Sequence, residues 1–151
     1  MSDSDTALVA RVVANDDRGA FELLVRRHQS AVRNFLRRVA RNDGERANDL
    51  AQETFIKMYR GLHTYRGTAR FTTWLFRIAY HTFLNDQRGR HPNEEFNDDK
   101  HGSAADTTAH TADVLDVDRA LERLPVRQRA VFDLHYKKGM THSEIAEALE
   151  L

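Results

Sequence analysis

The chain of 151 residues has no cysteine, which excludes a disulfide scaffold, a thiol nucleophile and a cysteine-based zinc site. Only 2 prolines and 7 glycines are present, too few for a turn-rich all-β fold. The longest apolar runs are four or five residues, so nothing in the sequence spans a membrane. The segment Met1-Ser2-Asp3-Ser4-Asp5 lacks the apolar stretch of a secretory signal, and a cytoplasmic location is expected. No Gly-rich phosphate loop, Ser-His-Asp order or close carboxylate pair supports catalysis, so the chain does not read as an enzyme. The 8 histidines show no HxxxH spacing, and neither a metal site nor a cofactor is expected.

What is present is charge, unevenly spread. The formal net charge is zero, but residues 1–92 hold 16 Lys/Arg against 10 Asp/Glu. Residues 93–118 hold 1 against 8, and residues 119–151 hold 6 against 5. The pattern is a basic body, an acidic tether and a second small body.

Helical periodicity dominates. Phe21, Leu24, Val25, His28, Val32, Phe35, Leu36 and Val39 recur at steps of three and four, predicting one helix over 18–40. Asp17 is its candidate cap, and 7–14 is a shorter helix before it. Asp43 caps a helix over 45–60 that Gly61 closes. Residues 62–71 form a loop centred on Gly67, and Thr72 or Thr73 caps a helix running to about Arg88. Residues 91–111 are polar and acidic, a flexible linker by composition. Val114, Val117, Leu121 and Leu124 resume a helical stripe. Pro125 at the first helical position opens a helix over 126–138 that ends at Gly139. Thr141 and Glu144 form a capping box for a last helix over 143–149. The fold class is all-α: two small helical domains, 1–92 and 112–151, joined by the linker 93–111.

Three segments carry candidate chemistry. Asp49, Gln52 and Glu53 share one side of their helix and suit a basic partner; the other side carries Leu50, Phe55, Ile56 and Tyr59. A solvated face is the plainer alternative. Tyr65, Arg66, Arg70, Phe71 and Trp74 mix aromatic surfaces with guanidinium groups. Arg77, His81, Asn85 and Arg88 follow at steps of four, four and three on one face. Aromatic faces accept unstacked bases and arginines neutralise phosphates, so this stretch suits single-stranded DNA. Trp74 and Phe71 could equally belong to the core. The third segment, 126–151, resembles the entry to a helix-turn-helix, or an ordinary helical hairpin.

These segments in this order resemble the extracytoplasmic-function sigma factors of the sigma-70 family, small initiation subunits of bacterial RNA polymerase. The carrying motifs are Ala20-Phe-Glu-Leu-Leu-Val-Arg-Arg-His28, Asp49-Leu-Ala-Gln-Glu-Thr-Phe55, Tyr65-Arg-Gly-Thr-Ala-Arg-Phe71, Thr73-Trp-Leu-Phe-Arg-Ile-Ala79 and Leu124-Pro-Val-Arg-Gln-Arg-Ala-Val131. The last leads into Gly139-Met-Thr-His-Ser-Glu-Ile-Ala146. The resemblance implies that 1–92 is sigma domain 2. Asp49, Gln52 and Glu53 would then grip the clamp helices of the largest polymerase subunit. The loop 65–71 and the following helix would melt and read the minus-10 element, with one base flipped into a pocket on the loop. Residues 112–151 would be part of domain 4, which binds the polymerase flap and reads the minus-35 element. Core polymerase, promoter DNA and an anti-sigma factor are the implied partners.

Two departures from the family pattern stand out. His81 replaces the Asn that many members place against the flipped base. The sequence given stops at Leu151, where the turn before the recognition helix is expected, so a domain 4 truncated there and weak minus-35 reading are expected. The alternative function is a sigma-like binder of polymerase or of an anti-sigma factor that does not initiate.

Overall fold

The protein is described by a computed structural model at residues 3–90 and 119–150. The whole of the expected linker, with Val114 and Val117, lies outside the described residues. Helix α1 (Asp5–Asn15) starts from Ser4, whose hydroxyl accepts the Ala7 N–H. Helix α2 (Arg18–Val39) starts from Asp17, whose carboxylate accepts the Ala20 N–H and is thereby held below the usual carboxylate range. Asp43 does the same for α3 (Gly44–Gly61) by accepting the Arg46 N–H. A 3₁₀ turn (Leu62–Thr64) and the loop with Gly67 at φ +78° lead into α4 (Phe71–Arg90). After a helical turn at 119–122 come α5 (Val126–Phe132), a π-type turn (Asp133–Lys137) and α6 (His142–Leu149). Among the described residues there is no strand.

The apolar stripes meet as expected. Phe35, Leu36, Val39, Met58, Leu75 and Phe83 are essentially inaccessible, and Phe35 meets Phe76 edge to face at 5.3 Å. Arg46 on α3 reaches across to α4, bonding Asp86 at 2.8 Å and Gln87 at 2.7 Å while its guanidinium lies over the Phe83 ring. The two terminal helices do not stand apart. Helix α5 packs on α2, and α6 packs on α4. Arg129, 1% exposed, donates to the Val39 carbonyl at 2.6 Å and to that of Leu124. That satisfies a carbonyl at the C-terminus of α2, where helix geometry leaves acceptors without intrahelical partners.

Four local expectations are corrected. Helix α4 begins at Phe71, with the Trp74 N–H bonded to the Arg70 carbonyl, so neither Thr72 nor Thr73 caps it. Thr73 is instead buried with an unpartnered hydroxyl. Helix α3 does end at Gly61, as expected, but with φ −98° rather than the left-handed value of a terminating glycine, and the chain winds on into the 3₁₀ turn. Pro125 is the N-cap of α5 rather than its first residue, because its ψ of 153° is extended. The expected helix over 126–138 is α5 followed by the π-type turn, ending at Gly139 with φ +68°.

Candidate nucleic-acid and polymerase interface

Helix α3 presents Asp49, Gln52 and Glu53 to solvent, while Leu50, Ala51, Thr54 and Phe55 are buried. Ile56 and Tyr59, expected on the buried side, are 51% and 43% exposed. The 100° step per residue explains Ile56: it follows Asp49, Gln52 and Glu53 at positions i, i+3, i+4 and i+7, so it extends their stripe. An exposed branched apolar residue among carboxylates gives that stripe a dry contact point that sequence reasoning missed. Tyr59 turns towards α2, meeting Phe21 at 5.0 Å and donating to Asp16 at 2.5 Å. That bond to a carboxylate raises the phenol pKa.

The loop and α4 bring the aromatic residues together. Tyr65, Phe71 and Trp74 form a triangle of ring contacts at 5.4–5.7 Å. Phe71 is core, 3% exposed, while Tyr65 and Trp74 are half-buried. The Tyr65 hydroxyl donates to the Ala69 carbonyl at 2.5 Å, closing the loop on itself, and burial pushes its pKa up. Beside this loop is an open cavity of about 390 Å³ lined by Asp5, Thr6, Tyr65, Thr68, Arg70 and Phe71, among others. The contribution of α1 to it was not legible in the sequence, because Asp5 and Thr6 lie some sixty residues away along the chain.

The basic face of α4 divides in two. Asn85 and Arg88 are exposed, as is Arg66 on the loop. Arg77 and His81 are half-buried because α6 lies against them. Arg77 donates to the Glu147 carbonyl at 3.1 Å, and its Nε lies 3.9 Å from Glu150. His81 faces Glu150 at 3.2 Å. Arg70, at the cavity rim, pairs with Glu144 at 3.4 Å. The Glu144 carboxyl is held below its usual value by the Thr141 backbone N–H of the capping box and by Arg70. Leu134, Ile145 and Leu149, the apolar seam of the terminal helices, are covered.

Among the described residues no group of three or more His, Asp or Glu side chains could hold a metal ion. None of the helices there is long and apolar enough to cross a membrane.

Two families match the chain: Sigma-70 region 2 over residues 24–91 and Sigma-70, region 4 over residues 115–151. The RNA polymerase sigma-H factor of Pseudomonas aeruginosa is 38% identical over 131 residues, 85% of this chain and 62% of that relative's length. The ECF RNA polymerase sigma-E factor of Haemophilus influenzae is 34% identical, with 97% of this chain and 84% of that protein covered. Among solved structures, CnrH in complex with the cytosolic domain of CnrY superposes with a TM-score of 0.69 at 24% identity, over 99% of this chain and 84% of that one, a likeness of fold. An engineered region 2 of sigmaE in complex with GTAAAA superposes at 0.53 with 38% identity, over 62% of this chain and all of that one.

Proposed function

Because this chain belongs to the extracytoplasmic-function sigma factors of the sigma-70 family, we propose that it directs bacterial RNA polymerase to promoters and helps to melt them. The observation that carries this reading is the loop cavity joined to a basic helix face. An aromatic-walled hole for one extruded base opens beside Arg66 and Arg70, and α4 continues the path with Arg77, His81, Asn85 and Arg88. Extruding a base costs unstacking energy but exposes its whole hydrogen-bonding edge. The arginines neutralise the strand on either side. Tyr65 and Trp74 supply half-buried ring surfaces, while Phe71 acts from beneath as the cavity's support. The sigmaE region 2 solved in complex with GTAAAA supports a short nucleic-acid target.

Docking on polymerase uses the stripe Asp49, Gln52, Glu53 and Ile56. Carboxylates flanking an apolar contact suit a basic helical partner such as the clamp helices. Helices α5 and α6 contact the flap as part of domain 4. A regulatory partner of the anti-sigma class fits a chain whose fold matches CnrH bound to CnrY. In the arrangement described, α6 lies over Arg77 and His81, so reading DNA with those residues requires α6 to leave α4.

Run-off transcription with core polymerase on a promoter library tests the function. Transcripts that depend on this chain and on the minus-10 sequence are expected. Tight polymerase binding without any transcript would favour a non-initiating binder.

A further inference from the structure

The loop cavity has one wall that is not part of the loop. Asp5 of α1 lines it, and its carboxylate is held by two residues of α2. The Arg27 guanidinium donates to Oδ1 at 2.9 Å, and the His28 Nε2 lies 3.0 Å from the same oxygen. Both contacts fall on Oδ1, and no described residue bonds Oδ2. The side chain is only 23% exposed, and His28 beneath it is 7% exposed and packed against Phe71 at 5.4 Å. One oxygen is therefore anchored, which leaves the other as the acceptor that Asp5 can offer to the cavity it lines. A carboxylate is acceptor-only when ionised, so this wall discriminates by hydrogen-bond polarity. Thr68 and Thr72, also lining the cavity, carry hydroxyls that can donate to a ring nitrogen.

From this geometry we infer that Asp5 determines base specificity in the loop cavity, selecting a base that presents an exocyclic amino group, cytosine or adenine, over thymine. The inference rests on the reading of the cavity as the site of an extruded base. The amino group of cytosine or adenine donates to Oδ2, and the adjacent ring nitrogen accepts from a threonine hydroxyl. Thymine puts a carbonyl oxygen where the amino group would be, so two acceptors face each other. Guanine offers two neighbouring donors suited to both oxygens of a carboxylate, but Oδ1 is already occupied by Arg27 and His28. Arg27 and His28 are positioning residues: they hold the anchored oxygen so that the free one keeps its direction.

The test is initiation by holoenzyme reconstituted from the full chain and core polymerase, on promoters in which each minus-10 position carries every base in turn. For the wild type, one position should favour cytosine or adenine over thymine by about tenfold, the worth of one charge-assisted hydrogen bond. Replacing the favoured base there by an analogue lacking its amino group should cost the same factor. Asp5→Ala should flatten the preference at that position alone. Asp5→Asn should turn it towards thymine. Arg27 and His28 hold the amide oxygen, which leaves the amide N–H₂ pointing into the cavity as a donor. A structural role for Asp5 would not reverse the base order. Asp5→Asn holoenzyme that initiates with the wild-type order at every position would overturn the inference and leave the sigma reading standing. So would a wild type indifferent to the amino group at every position. Failure of the wild type to initiate on any member would instead overturn the sigma reading, and the inference with it.

Discussion

The helices of residues 3–90 bury Phe35, Leu36, Met58, Leu75 and Phe83 against one another. Those of residues 119–150 bury Leu134, Ile145, Ala148 and Leu149 while packing on α2 and α4. The long helices of the first region have 18–22 residues in α2, α3 and α4; α5 and α6 have 7 and 8. Isolated helices so short are not stable in water, so their order comes from docking. The fixings differ as well. The first region is locked by buried rings, the second by Arg129 reaching under α2 and by exposed ion pairs along α6. On the proposed function, that asymmetry would let the body keep its shape while the terminal helices leave α4, as reading DNA with Arg77 and His81 requires.

The largest effect should come from breaking the body itself. Phe35→Ala removes an inaccessible ring and should cost about 3–5 kcal/mol, seen as loss of most of the helical signal in thermal melts. Leu134→Ala, equally buried, should leave the transition of the body close to its wild-type position. Equal losses of body stability from the two would break the comparison.

Charge reversal at Asp49 and Glu53 to Lys should weaken binding to core polymerase by about 2–5 kcal/mol if the contact is desolvated, while melting stays unchanged because both side chains are exposed. Ile56→Ala should weaken the same contact by less. Core polymerase titration reads both. Binding at wild-type strength by the double Lys variant would remove α3 from the interface.

Arg129→Met tests the anchor of the second region. It leaves the Val39 carbonyl buried without its donor, costing about 1–3 kcal/mol. Hydrogen exchange should speed up in α5 and α6 and not in α3. Uniform acceleration would mean that the two regions form one cooperative unit.

The smallest effects lie at the rim. Glu150→Gln removes the partner of His81, and such exposed pairs contribute roughly 0–1 kcal/mol. Acid should act at Glu144 in the same direction. Its carboxyl is held below the ordinary value of 4.5 by the Thr141 N–H and Arg70, so its stabilisation is complete above that value. It is lost as pH falls through the lower folded value. Fluorescence of Trp74, one helical turn from Arg77 on α4, should report loosening of α6 in acid before the body unfolds.

Local signals were legible in the sequence wherever they act over three or four residues. The apolar stripe of α2, the Asp17 and Asp43 caps and the Thr141–Glu144 box all recur in the structure. Elsewhere tertiary contact overrides local preference. Thr73 looks like a cap but is drawn into the core as α4 starts two or three residues earlier. Ile56 looks like core but continues the exposed stripe of α3. The seat of α6 over Arg77 and His81, and the arrival of Asp5 at the loop cavity, join residues about 70 and 60 positions apart. No periodicity within a helix encodes such meetings.

On the proposed function, the terminal helices cover Arg77 and His81 in the free chain and leave them on the promoter. With no cysteine in the sequence, Gln29→Cys on α2 and Ser143→Cys on α6, both exposed positions, accept a pair of spin labels cleanly. Pulsed dipolar spectroscopy should give one short, narrow distance in the free chain and a clearly longer one once core polymerase and promoter DNA are bound. An unchanged distance in a complex that initiates transcription would mean that α6 stays on α4 and that Arg77 and His81 do not read the promoter.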